Sequence, residues 1–292
     1  MRTPLGTATI CLLLVWLLIS SYQGCLPLPA ERTAQVMGTT VRVKVNGWGA
    51  PHWTNRALWE IKRLEKIFNK FDPESEISLI NKLGGRAPLQ VSEDTWSILK
   101  LAQAVNRVSG GAFDVTLGHP DSLVLDEKNR QVELRTRSTE HGAWGIDLGG
   151  IGKGYAVESA RRLLMMKGVK SAIIDAHSSI AVIGNGWRVG IQDPGGRKLD
   201  GIVILNDGDA LSTSGQYEQP GHIIDPRTGR SADRCLSVTV IAKDAALADA
   251  LSTAVFVLGP GAGQKLLQRF GAKALIIDRN GKTYDSLGVK LR

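Results

Sequence analysis

Half of the eight residues in Asp147–Gly154, DLGGIGKG, are glycine. A stretch so rich in glycine is unsuited to the middle of a helix or a strand, because glycine loses the most backbone freedom on ordering. It must be a tight connection at which the backbone comes close to something else. Residues 132–147 before it look strand-like, and Gly154–Lys167 after it reads as a helix ending at Gly168. A glycine turn between strand and helix suits an anion site, since the first amides of a helix lack internal partners. Two nucleotide-loop patterns fail on it. A P-loop needs glycine where Asp147 stands and Ser or Thr where Gly154 stands, and a GxGxxG fingerprint from Gly150 needs glycine at Tyr155. On the glycines alone, the segment reads as a close strand–helix connection.

The remaining chain supplies the layers such a connection would join. Val36–Val45 alternates as a strand does. Thr54 is placed to cap a helix running to Phe71, with Leu58, Ile61, Leu64, Ile67, Phe68 and Phe71 at helical spacing, stopped by Asp72-Pro73. Ser92 opens a second helix that ends at Gly110-Gly111. Short β-rich runs follow at Ala172–Asp175, Trp187–Gln192, Gly201–Leu205 and Leu236–Ala242, then helices over Ala246–Leu258 and Gly261–Phe270. Ala274–Ile277 and Lys282–Tyr284 flank the hairpin dipeptide Asn280-Gly281. Strands and helices cluster without regular βαβ alternation, so the expected class is α+β, with mixed or antiparallel sheets packed against helices.

The N-terminus reads differently. Arg2 is the only charge before Glu31, and Ile10–Ile19 is an apolar run of signal-peptide length, short for a membrane span. Gly24-Cys25 at its end resembles a lipobox, with Tyr22 where an aliphatic residue is usual; plain cleavage or an uncleaved anchor are the alternatives. The expected organisation is a signal over 1–24, a lipidated Cys25, a tether over 25–35 and one domain over 36–292, exported to the periplasmic or extracytoplasmic membrane face. Cys11 falls in the apolar run, so only Cys235 remains in the body of the chain, and it can form no internal disulfide. The formal net charge of +8 suits an anionic ligand or membrane surface. Lysines and arginines are scattered without a basic–aromatic stripe, which argues against nucleic acid.

Three further constellations carry chemistry. Asp249 and Thr253, four apart on the helix ADALSTAVFVL, share a face and offer hard oxygens suited to Mg²⁺. Their plainer reading is a solvated carboxylate and a hydroxyl bonded back to its own helix. Gly110–Thr116 sets Phe113 and Asp114 just past a helix end. His222 precedes an Asp-Pro turn, where a histidine suits general-base work, although most of the five histidines must do something duller.

Taken in order, these segments resemble the FAD:protein FMN transferase (ApbE) family over roughly residues 36–278. Met37-Gly-Thr-Thr40, Asp72–Ser78 with Asn81, Thr213-Ser-Gly215 and Thr239–Ala242 add to the match. The resemblance implies that FAD is the substrate and that, with Mg²⁺, its FMN half is attached to a Thr or Ser hydroxyl of a redox-protein acceptor with release of AMP. Carried over by position, Met37, Phe71, Ala112, Phe113, Asp114, Asp147, Lys153 and Ile224 would bind the flavin nucleotide. The Gly150 carbonyl, Asp249 and Thr253 would hold the metal, and His222 would take the proton. FAD diphosphate hydrolysis and non-catalytic FAD binding by a lipoprotein are the alternatives. The chain departs from the family pattern at Asp175-Ala-His-Ser-Ser179, where Gly-Gly is usual, and has shortened segments at Gly118–Gln131 and Tyr217–Gly221.

Overall fold

The computed structural model describes residues 28–135, 145–195, 199–216 and 221–291. The expected signal, Cys25 and the first residues of the tether lie outside them. The described chain runs β1 (Ala30–Val36), β2 (Thr39–Val45), α1 (Ala50–Phe68), α2 (Glu76–Leu83), β3 (Leu89–Gln90), α3 (Glu93–Ser109), β4 (Leu123–Asp126), β5 (Gln131–Leu134) and α4 (Gly152–Met166). Then come β6 (Ala172–Asp175), β7 (Ser179–Ile183), β8 (Trp187–Gln192), β9 (Leu199–Leu205), β10 (Ala210–Gly215), β11 (Ile224–Asp225), β12 (Arg230–Ser231) and β13 (Cys235–Ala242). The chain closes with α5 (Ala245–Leu258), α6 (Pro260–Arg269), β14 (Lys273–Asp278), β15 (Thr283–Asp285) and β16 (Lys290–Leu291).

An eight-stranded antiparallel sheet, ordered β1-β2-β6-β7-β10-β13-β14-β15, forms the middle layer. Helices α1, α4 and α5 pack on one face. On the other face, β8 and β9 of the three-stranded sheet β16-β9-β8 meet Ile180, Val182 and Leu211 in a smaller core. This is the α+β architecture expected. Strand β7 shows why the layers hold: all five of its residues are buried, with Ala181 and Ile183 in the helix-side core and Ile180 and Val182 in the other. A strand covered on both faces loses polar alternation.

Several local signals behave as read. Ser92 caps α3 by accepting from the Thr95 N–H, and Glu76 of α2 accepts from the Ser92 N–H and hydroxyl, joining two helices at one serine. Cys235 is buried, and burial pushes its thiol up to about 12.

Other expectations need correction. Residues Ala30–Gln35 are not tether but most of β1, paired in register with β2. β1 is an edge strand whose side chains are mostly exposed, so backbone pairing forms it without an apolar alternation to announce it. Val36–Val45 is accordingly not one strand. It spans a two-residue turn, with Met37 at φ +54° and Gly38 at φ +70°, the left-handed pair a type I′ hairpin requires. α1 begins at Ala50 rather than after Thr54 and ends at Phe68. Pro51 suits a first helical turn, and Thr54 lies buried inside the helix with its hydroxyl on the Pro51 carbonyl. α2, capped by Ser75, was not foreseen. β5 stops at Leu134, and the described end of the 132–147 segment, Ile146-Asp147, is not a strand.

Ser92→Ala removes the cap and the hydroxyl contact to Glu76 together. It is expected to cost about 1–2 kcal/mol, read as a lower urea midpoint with unchanged denaturant slope.

Candidate active site

The glycine segment and the Asp249 helix meet at Gly154. A Cβ built there would lie 2.3 Å from the Ala245 carbonyl oxygen and 2.6 Å from the Asp249 Cβ, so α4 and α5 approach as closely as only glycine permits. The approach lets the Gly154 N–H donate to Asp249 Oδ2 at 2.8 Å, while the Ser212 hydroxyl donates to Oδ1 at 2.9 Å. Ser179 lies 3.2 Å from Ser212 and extends this hydroxyl chain to β7. Asp249 is buried, and burial pushes its carboxyl above the usual carboxylate range; the Lys153 ammonium, the Gly154 amide and the serine hydroxyls pull it back. The solvated reading of this carboxylate is therefore wrong. A buried ion pair secures the joint: Glu158 meets Arg161 at 2.7 Å and accepts from the Ala245 N–H, and Arg161 donates to the Asp209 and Lys243 carbonyls.

Gly150 is held just as tightly. Its Cβ position lies 3.1 Å from Thr253 Oγ1 and 3.2 Å from the Phe113 ring, so Thr253 and Phe113 close on it from two elements. The Thr253 hydroxyl contacts Ser214 at 3.3 Å rather than bonding back to its own helix. The turn is fixed from below by Asn81, whose amide accepts from the Ile146 N–H and donates to the Ile146 carbonyl. Free amides at the start of α4 were expected, but the protein uses two of them. The Gly152 N–H bonds Leu148 and the Gly154 N–H bonds Asp249.

Around this centre stand the other expected residues. Met37, in the hairpin turn, reaches to 3.8 Å from the Gly152 Cβ position and gives its N–H to Glu65. Asp147 accepts from Gly149 and pairs with Lys70 at 2.6 Å. Phe71 is 83% exposed, with the Lys70 ammonium 5.1 Å from its ring centroid. Ala112 and Phe113 are buried. The Asp114 carboxylate is occupied by its own loop, accepting from the Thr116 N–H and hydroxyl and the Gly118 N–H, which makes it a shaper of the Phe113 loop. The hairpin that follows His222 and contains Ile224 abuts that loop, Pro226 at Gly118 and Arg227 at Gly111. His222 is exposed. Lys70, Ser212 and Ser214 are functional neighbours that sequence reading missed. The serines had a signal, alternate hydroxyls along β10, whereas Lys70 had none.

The departure at Asp175–Ser179 falls in the connection between β6 and β7. His177 takes φ +67°, the left-handed conformation that glycine adopts freely, with its N–H on the Asp175 carboxylate at 2.8 Å.

The donor set fits a magnesium ion. It offers one buried carboxylate, one hydroxyl and backbone oxygen, all hard ligands, and among the described residues no group of three His, Cys, Asp or Glu side chains could hold a metal alone. An ion held this sparsely would need oxygens from water or a ligand to complete its shell.

The model of the ApbE family matches residues 37–276. The chain belongs to the ApbE family. A relative named FAD:protein FMN transferase in Treponema pallidum is 30% identical, aligned over 89% of this chain and 87% of its own. Another so named in Klebsiella pneumoniae is 29% identical over 85% and 89%. The crystal structure of the ApbE protein of Thermotoga maritima superposes with a TM-score of 0.79 at 30% identity, covering 88% of this chain and 97% of that one. ApbE membership thus agrees with the α+β fold.

Gly154→Ala forces α4 from α5 and is expected to cost about 1–3 kcal/mol. Gly261→Ala on α6, where an added Cβ meets nothing within 4 Å, should instead be neutral or gain about 0.4–1 kcal/mol. Urea titrations of the two variants, side by side, check both signs.

Proposed function

We propose that this chain transfers the FMN half of FAD to a Thr or Ser hydroxyl of an extracytoplasmic redox protein, with Mg²⁺, and releases AMP. The observation that carries the reading is the Asp249 carboxylate, buried against the glycine turn with Thr253 beside Gly150. The family and the relatives' shared name support the transferase class.

Asp249, Thr253 and the Gly150 carbonyl would hold the ion. When bound, it would supply positive charge to the diphosphate oxygens. Lys153, on the first turn of α4, adds a cation beside the same carboxylate and lowers the cost of charge gathering on those oxygens. Met37, Phe71 and Phe113 offer apolar surface to the flavin, and the Lys70–Asp147 pair holds the loop beneath Phe71. The acceptor oxygen forms a bond to the FMN phosphorus as the bond from that phosphorus to the bridging oxygen breaks. The bridging oxygen leaves on AMP, and His222 takes the acceptor's proton. Export places this chemistry at the outer face of a membrane, with the N-terminal segment as signal or lipid anchor.

Asp249→Asn keeps the shape of the buried side chain and removes its charge. It is expected to lower covalent FMN on a co-expressed acceptor by about 10²–10³-fold, measured by intact-protein mass spectrometry, with the fold checked by circular dichroism. Undiminished transfer would sink the metal assignment. Free FMN and AMP without modified acceptor would make the wild-type chain a hydrolase, and stoichiometric uncleaved FAD in excess Mg²⁺ would make it a carrier.

A further inference from the structure

Nine large apolar side chains are exposed among the described residues: Leu28, Trp48, Trp59, Phe71, Leu117, Met165, Met166, Ile204 and Leu236. Phe71 and Leu117 belong to the candidate active site and its Asp114 loop. Leu28, Trp48, Met165 and Met166 lie on three other segments, which the sheet gathers at one end, and Trp59 stands midway along α1. Ala30 pairs with Val45, Val45 pairs with Ala172, and the Asn46 N–H and side-chain amide bond the Ser171 carbonyl and hydroxyl. The entry to β1, the β2–α1 connection and the α4–β6 connection therefore meet. Trp48 is 65% exposed, Trp59 72% and Met166 78%, too open to be serving the core.

The charge of these segments is one-sided. Arg56, Lys167 and Lys170 are exposed, and no Asp or Glu occurs between Arg32 and Trp59 or between Leu163 and Ile174. The acids bordering them are already engaged: Glu31 pairs with Arg42, Glu60 with Arg63 and Asp209 with Lys243, and Asp207 accepts from the Gly184 N–H beside the Lys170 carbonyl. We propose that this corner, comprising Trp48, the N-terminal half of α1 and the C-terminal end of α4, rests on a phospholipid surface. Tryptophan rings favour the headgroup level of a bilayer. Exposed Lys and Arg add about 1 kcal/mol each beside anionic lipid.

The chain itself limits where the membrane can be. Only residues 20–27 separate the apolar run Ile10–Ile19 from Leu28, and they reach at most about 30 Å fully extended. With that run in the bilayer, or with a lipid on Cys25, the corner where β1 begins is tethered within that reach of the surface. The Met37–Gly38 turn is at the far end of β2, about 20 Å away. With the corner on the lipid, the Met37 side of the proposed flavin site would stand about that far from the surface. The inference rests on the anchored reading of the N-terminal segment and not on the transfer chemistry.

The test places the full chain in vesicles of phosphatidylcholine and phosphatidylglycerol brominated near the glycerol end of the acyl chain, where bromine quenches tryptophan on contact. The wild-type chain is compared with W48F; every other tryptophan is common to both, so the difference emission isolates the corner. That difference is expected to fall at least about twofold from unbrominated to brominated vesicles, and to be shielded from aqueous acrylamide by a similar factor. A difference emission unmoved by bromine, in a chain that floats with the vesicles, overturns the face and leaves the anchor standing. A chain that fails to float overturns both, whatever its transfer activity.

Discussion

A carboxylate buried at the junction of two helices and a strand sets the terms for everything near it. Asp249 gives up water for two neutral hydrogen bonds and a neighbouring ammonium, and an uncompensated buried charge costs several kcal/mol. The arrangement persists because other features hold it in place. Gly154 brings the amide of α4 within reach, the Glu158–Arg161 pair fastens α4 to the start of α5, and β10 turns Ser212 and Ser214 toward the helix layer while Thr213 bonds Thr239 on β13. A divalent cation would relieve the strain of that burial and would exploit a site whose structural cost has already been met.

The glycine turn serves two masters. In the proposed function it would present backbone to a ligand at Gly150, and it keeps two of its own amides engaged, at Gly152 and Gly154. What would remain for a diphosphate under the proposed function is therefore less an open helix end than a combination of side-chain cations, the Asp249–Thr253 oxygens and the edge of Phe113. Such a site binds through geometry assembled from distant segments, and its failure on both nucleotide-loop patterns follows from that division of labour.

Legibility in the sequence followed the range of the interaction. Ser92 and Gly110 bound their helix by contacts within a few residues, and both were read correctly. The four-residue spacing of Asp249 and Thr253 was visible, but its burial was not, because the partner amide is 95 residues away. Lys70 and Asp147 are 77 apart, with nothing in either neighbourhood to join them. β1 escaped notice because an edge strand needs backbone partners more than apolar ones. The Asp175–Ser179 segment read as a departure from the family's Gly-Gly, and within it His177 adopts a backbone conformation that glycine reaches freely. Most of the layer architecture came from local pattern, while the chemistry at its heart depended on which segments topology brings together.

The pairing of β2 with β6 has a consequence for assembly. It joins Arg42 to Asp175 across most of the helical layer, in the interior of the sheet. Contacts of such long sequence separation must close a large loop before they repay it, which makes folding slow. An emerging chain has α1 and the β1–β2 hairpin early but no second neighbour for β2 until β6 arrives, and no Asp249 for Gly154 until later still. The junction of Gly154 with Asp249 is thus among the last parts able to form, and the strands and helices made early must wait for the last third of the chain to be locked together.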